Sequence, residues 1–159
     1  MAFVLAPAAT AAACTDANSP ASSVPHRAYA RGVECVLNAQ RAARGLRPLR
    51  HDRRLARAAA RLSHSMVSQR FFGHVSPAGS TPDDRARAAG YTRGGLGETI
   101  GWGSGERATP AAIVDQWMQS PPHRAIILDG RFRRVGLGVA IGSPVGGPAG
   151  ATVTADFGA

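Results

Sequence analysis

A layered α/β sandwich with a small, mainly antiparallel sheet is the fold class this sequence predicts, and three observations carry it. Helix-spaced apolar stripes occupy much of the first two thirds, several opened by a capping residue and a proline. Three short, glycine-rich runs of alternating residues follow, the last two at the C-terminal end. The length of 159 residues suits one domain with a real core, and no internal repeat divides it.

Taken in order, residues 1–13 read as a signal-peptide remnant: an apolar, alanine-rich run ending in small residues, without a charged start and too short to span a bilayer. A lipoprotein-like reading of Ala11-Ala12-Ala13-Cys14 and a disordered alanine tail stay open beside it. Residues 14–26, rich in Ser, Pro and small side chains, read as a linker, leaving residues 27–159 as the domain. The two cysteines, Cys14 and Cys35, form an even count in a chain that looks exported, which favours a disulfide between them; spacing alone leaves two separate thiols open.

A helix is expected over residues 28–44, with Val33, Val36 and Leu37 on one side. A second is expected over 52–70, capped by Asp52, with Leu55, Ala59, Leu62 and Met66 as its buried stripe and His64 on its polar face. FFGHVSP follows, where Gly73 is expected to break the helix, both phenylalanines to bury, and His74 to sit in the turn. Thr81-Pro82 opens a third helix ending at Gly90, and Thr109-Pro110 repeats the device before an apolar face of Ile113, Val114, Trp117 and Met118. Ser120 is expected to cap a short helix starting at Pro121, placing His123 in its first turn, where the helix field disfavours imidazolium. Residues 96–103, 134–142 and 151–158 are the expected strands, the last two joined by a hairpin loop.

The net charge is +9, and all 19 basic residues are arginines. This balance favours anionic surfaces such as wall polymers or acidic headgroups. Few aromatic residues are interleaved with the arginines, so it does not point to specific nucleic-acid recognition. HExxH, GxSxG and Walker-type motifs are absent, two cysteines exclude a Cys-rich zinc site, and the GxG at Gly136 and Gly138 continues as a strand, unlike a dinucleotide loop. What remains is a set of polar groups at segment junctions: His74, Glu98 and His123.

FFGHVSP, RARAAGY, GETIGWG, VDQWMQSPPHRAIILDGRFRRVGLGVA and ATVTADFG, in that order, resemble the secreted bacterial branch of the CAP superfamily, which groups cysteine-rich secretory proteins, antigen 5 and pathogenesis-related 1 proteins. The resemblance covers residues 35–157 and implies a three-layer α-β-α sandwich. It also implies a cleft of two histidines and two acids, in which the histidines can hold a divalent cation. Carried over, the histidines fall on His74 and His123 and the first acid on Glu98. The second acid's position is Ser120, Asp115 being poorly placed to replace it, and the usual GEN reads GET with Thr99.

Two imidazoles and Glu98 as third ligand could hold Zn²⁺ with an open water position. With Glu98 outside the ligand set, two protein ligands hold a cation more weakly. A hydrogen-bonded scaffold with no metal is the alternative. The functional expectation is a secreted, monomeric module, extracellular or wall-associated, binding a lipid, sterol or carbohydrate or an anionic envelope ligand through this cleft. A metal-assisted hydrolase or peptidase using Glu98 as base is the second reading, and no nucleophile is visible for it. A structural or toxin-like domain with a vestigial cleft is the third.

Overall fold

The computed structural model describes residues 14–147 and 149–159, so the leader expected over residues 1–13 lies outside the described residues. The first helix, α1 (His26–Ala42), buries Tyr29, Val33, Val36 and Leu37, positions that recur on one helical face. The segment before it, read from the sequence as a linker over 14–26, packs against the core. Its turns bury Cys14, Ala17 and Ala21, a disulfide joins Cys14 to Cys35, and the Ala111 amide donates to the Ala17 carbonyl at 2.8 Å. Small side chains let this stretch lie flat against the core while the disulfide pins its start.

A two-residue strand, β1 (Arg50–His51), leads into α2 (Arg53–Gln69). Asp52 caps α2 as expected, accepting from the Arg54 amide at 2.9 Å. Leu55, Ala59, Leu62 and Met66 are buried and His64 is exposed. The helix ends earlier than at Gly73. Arg70 takes the left-handed conformation at φ 53° and its amide closes on the Met66 carbonyl. Beyond that turn, Phe71 faces inward against Leu62, Met66 and Ile100, while Phe72 faces out and is 46% exposed. Consecutive residues of a non-helical chain point to opposite sides, so only one of the pair can bury.

Helix α3 (Pro82–Ala88) opens with a capping box in which Thr81 and Asp84 satisfy each other's backbone, and Gly90 follows it at φ 87°. Then come β2 (Leu96–Ser104), a 3₁₀ turn over Gly105–Ala108, α4 (Pro110–Gln119), α5 (Pro121–Ile127), β3 (Arg134–Ile141) and β4 (Gly150–Gly158). Thr109 caps α4 through the Ala112 amide. Ser120 stands before α5 but makes no capping hydrogen bond with its side chain. The prolines at 121 and 122 carry no amide hydrogen, so most of what a cap would satisfy is missing.

The sheet order is β1-β3-β4-β2, antiparallel except for the parallel β1–β3 pair. Its two faces differ in chemistry. On one, Gly136, Gly138, Thr154, Glu98 and Asp156 share register rows, and α2 lies directly on the glycines: a Cβ at Gly136 or Gly138 would strike the α2 backbone at Leu55–Ala56 or Ala59–Ala60. Ser63 seals this contact by bonding the Gly138 carbonyl and the Thr154 hydroxyl. On the other face, Val135, Leu137, Val139, Val153, Ala155 and Phe157 join α1, α4 and α5 in the main core. Trp117 of α4 donates its indole N–H to the Ile100 carbonyl at 2.9 Å. With α3 packed on α2, the result is the expected three-layer α-β-α sandwich, with β2 at one edge and β1 at the other.

Candidate functional site

Glu98 occupies the β2 edge on the α2 face, and its carboxylate is buried. Both oxygens are engaged. Oε1 lies 2.7 Å from His74 Nδ1, and Oε2 accepts from Arg85 Nη2 at 2.7 Å. Arg85, on α3 and also buried, donates further to the His74 carbonyl at 2.9 Å and the Ser80 carbonyl at 2.7 Å. One guanidinium therefore ties together the histidine turn, α3 and the edge strand. A groove of about 640 Å³ runs alongside, lined by Arg61, His64, Ser76, Ser80, Asp84 and Arg85 among others.

Asp156 stands directly across from Glu98 in the β2–β4 register and is buried. Neither of its oxygens has a hydrogen-bond partner among the described residues. Burial first, and then the neighbouring Glu98, push its carboxyl well above the ordinary range, with the Arg85 charge opposing. This favours the neutral acid.

His123 reaches the same edge from the opposite layer. Its helix α5 packs on the far face of β2, where a Cβ at Gly97 would meet Ile126 at 2.9 Å. The His123 pKa is lowered, first by burial and then by the charge of His74. The direction is the one expected from the sequence; the cause is burial and a like-charged neighbour rather than the helix field. Nδ1 of His123 is buried without a partner among the described residues. His74, by contrast, is nearly half exposed, with Phe72 and Val75 exposed on either side of it.

Ser120 sits half-buried at the junction of α4 and α5, its main chain used by Trp117 and Arg124. Asp115 is exposed and held by Gln119, away from the carboxylates. Thr99 points to the sheet face opposite Glu98, with its hydroxyl buried and unpartnered among the described residues. Sequence reasoning missed Arg85 and Asp156. Arg85 looks like a basic residue in a short amphipathic helix, whereas Asp156, on the threonine side of an alternating strand, is a signal that pairing with GETIG would have exposed.

Among the described residues, no group of three or more His, Cys, Asp or Glu is gathered to hold a metal ion. Glu98 gives its oxygens to His74 and Arg85, so His74 Nε2 and the His123 ring are the nitrogen donors that the predicted site residues offer at this edge.

The model of the CAP family, described as the cysteine-rich secretory protein family, matches residues 36–157. An uncharacterized protein, YkwD, of Bacillus subtilis strain 168 is 35% identical over 130 residues; the match takes in 82% of this chain and 49% of the relative, so the chain spans about half that relative's length. Among solved structures, an extracellular protein containing an SCP domain from Bacillus anthracis superposes with a TM-score of 0.71 at 24% identity, over 82% of this chain and 40% of that one. An outer surface protein from Borrelia burgdorferi superposes with a TM-score of 0.72 at 16% identity, over 85% of this chain and 96% of that one. These structural likenesses show the fold. The family model, matched over most of the chain, establishes that this protein belongs to the CAP family of cysteine-rich secretory proteins.

Proposed function

We propose that the chain is a binding module of the cell exterior or envelope whose site, at the β2 edge, takes an amphiphilic ligand of the lipid or sterol class. The observation that carries this reading is the buried Nδ1 of His123, without a partner among the described residues, together with the exposed Phe72 and Val75 that flank His74. A buried polar atom without a partner is costly, and a ligand hydroxyl or headgroup would satisfy it. Phe72 and Val75 offer apolar surface to the rest of such a molecule. The Cys14–Cys35 disulfide supports an oxidising compartment, and the described residues contain no helix long and apolar enough to cross a membrane. A carbohydrate would also meet the polar donors but makes less use of two exposed apolar side chains.

A divalent cation on His74 and His123 is the second reading, favoured by two imidazoles from separate layers, the charge of His74 being felt at His123. Such an ion would supply Lewis acidity, and water would fill its remaining positions. Glu98 is not free to act as general base while both its oxygens are bound, which weighs against the hydrolase form of this reading.

Uptake of a fluorescent sterol and a fluorescent fatty acid, with and without chelator, tests the proposal. Saturable uptake that is insensitive to chelator and reduced in His123→Ala supports the amphiphile site. No saturable uptake, together with chelator-sensitive hydrolysis of ester or peptide substrates, supports the metal reading instead.

A further inference from the structure

The opposite edge of the sheet carries a second concave site, built from arginine. A cavity of about 330 Å³ is lined by Arg47, Pro48, Arg50, Arg133 and Arg134. The strand pairing itself gathers these charges: Arg50 is the register partner of Arg134, and the Arg50 amide donates to the Arg133 carbonyl at 2.9 Å. Like charges set directly across a strand pair oppose its formation.

Arg41, which bonds the carbonyl of Arg47 and feels the charge of Arg133, adds a fifth cation behind the lining residues. It is fully buried and, among the described residues, bonds main-chain carbonyls alone, those of Arg47 at 2.9 Å, Ile127 at 2.7 Å, Asp129 at 3.0 Å and Phe132 at 3.2 Å. Burial and then the Arg133 charge lower its pKa. The acids nearby are already committed. Asp52 is held by Arg54 at 2.7 Å and lies 3.7 Å from Arg134, Asp129 grips Arg131 at 2.7 Å, and Glu34 pairs with His51 at 3.4 Å. Arg47, Arg50 and Arg133 have no acidic partner among the described residues, although Arg133 donates to the Gly130 and Phe132 carbonyls.

We propose that this arginine pocket binds phosphate groups, at a site separate from the His–Glu edge and independent of what that edge holds. Guanidinium forks match the paired oxygens of a phosphate, and several forks converging on one hollow exceed what an isolated surface arginine offers. A bound phosphate would also relieve the repulsion that the β1–β3 register imposes.

Calorimetric titration with sodium tripolyphosphate at low salt tests the site. Three proteins are compared: wild type, the pocket double variant Arg50→Gln/Arg133→Gln, and the control Arg27→Gln/Arg31→Gln. The control removes the same charge from an exposed stretch of α1, roughly 15–20 Å along the helix from Arg41. The expected result is saturable binding to wild type, weakened about tenfold or more in the pocket variant and about twofold or less in the control. Absence of saturable binding to wild type, or equal weakening in both variants, would overturn the proposal.

A second arm identifies the source of the phosphate. Co-sedimentation with phosphatidylglycerol vesicles but not phosphatidylcholine vesicles, lost in the pocket variant, assigns a lipid headgroup. Tripolyphosphate binding without vesicle capture assigns a soluble or polymeric phosphate.

Discussion

Arg85 and Glu98 form a buried ion pair at 2.7 Å that fastens α3 to the edge strand β2 and, through the same guanidinium, positions the His74 turn. Removing one partner leaves the other charged and buried, a change that typically costs about 3–5 kcal/mol. Arg85→Ala should therefore lower stability by about that amount in urea denaturation, and Arg85→Lys, which keeps the charge but loses the fork, should fall between. A loss of under about 1 kcal/mol in Arg85→Ala, the size typical of an exposed pair, would show that the pair is not desolvated in solution.

Asp156 predicts a pH signature. Its carboxyl is raised in the folded protein, by burial and then by Glu98, so the unfolded chain releases this proton at a lower pH than the folded chain does. From about pH 4 upward the wild type accordingly loses stability from this group, by at most about 1.4 kcal/mol per pH unit, until the folded group itself ionises. Asp156→Asn has no proton to lose. Its stability relative to wild type should increase as pH rises from about 4 until the folded acid ionises, read from thermal or urea midpoints at each pH. A difference that stays flat with pH contradicts the raised pKa.

Asp52 carries the opposite sign. Its hydrogen bond from the Arg54 side chain is the main cause holding the folded carboxyl at about 2, below its ordinary 3.8. Its contribution is therefore complete above the unfolded value and disappears as pH falls toward 2. Denaturation midpoints of wild type should drop more steeply over that acid window than those of Asp52→Asn. Equal slopes would mean that the cap and ion pair do not lower the acid's pKa.

Gly138 tests the contact between α2 and the sheet. A side chain there meets the backbone of Ala59 and Ala60, which cannot rotate aside. Gly138→Ala should destabilise by about 1–3 kcal/mol or more, the range for overpacking a filled interface. Gly79, with φ 83° and open space around its missing Cβ, is the contrast: Gly79→Ala should cost only backbone strain, roughly 1 kcal/mol. Thermal denaturation of the pair separates steric from conformational demands; equal losses would deny the close approach.

The Cys14–Cys35 disulfide spans 21 residues, and chain-entropy arguments give a closure of that length about 3 kcal/mol. Reduction should lower the denaturation midpoint by a corresponding amount and release residues 14–25 to proteolysis. Unchanged cleavage after reduction would indicate that the burial of Ala17 and Ala21 holds the segment without the covalent tie.

How far the sequence could be read depended on the range of the interaction. Thr81-Pro82, Thr109-Pro110 and the Leu55–Met66 stripe announce themselves within one or two turns, and the structure places helices there. Resemblance located His74, Glu98 and His123, and the structure brings Glu98 to His74 directly and His123 within the field of His74. Arg85 and Asp156 stayed hidden because their meaning arises only when α3 closes over β2 and when β4 pairs with β2 in one particular register. β1 is two residues long, too short for periodicity to register. Phe72 departs from the burial expected of it because local hydrophobicity does not reveal a left-handed turn at a non-glycine residue, Arg70.

The proposed function requires that His74 and His123, arriving from opposite layers, serve one ligand. Ring-nitrogen NMR of the histidines during titration with the fluorescent sterol or fatty acid tests this most directly. A shared ligand predicts that the His74 and His123 signals shift together and saturate at a common midpoint, while His26 and His51, which line no part of the groove alongside Glu98, stay fixed. Signals from His74 and His123 that move independently, or that remain still while the ligand binds, would contradict it.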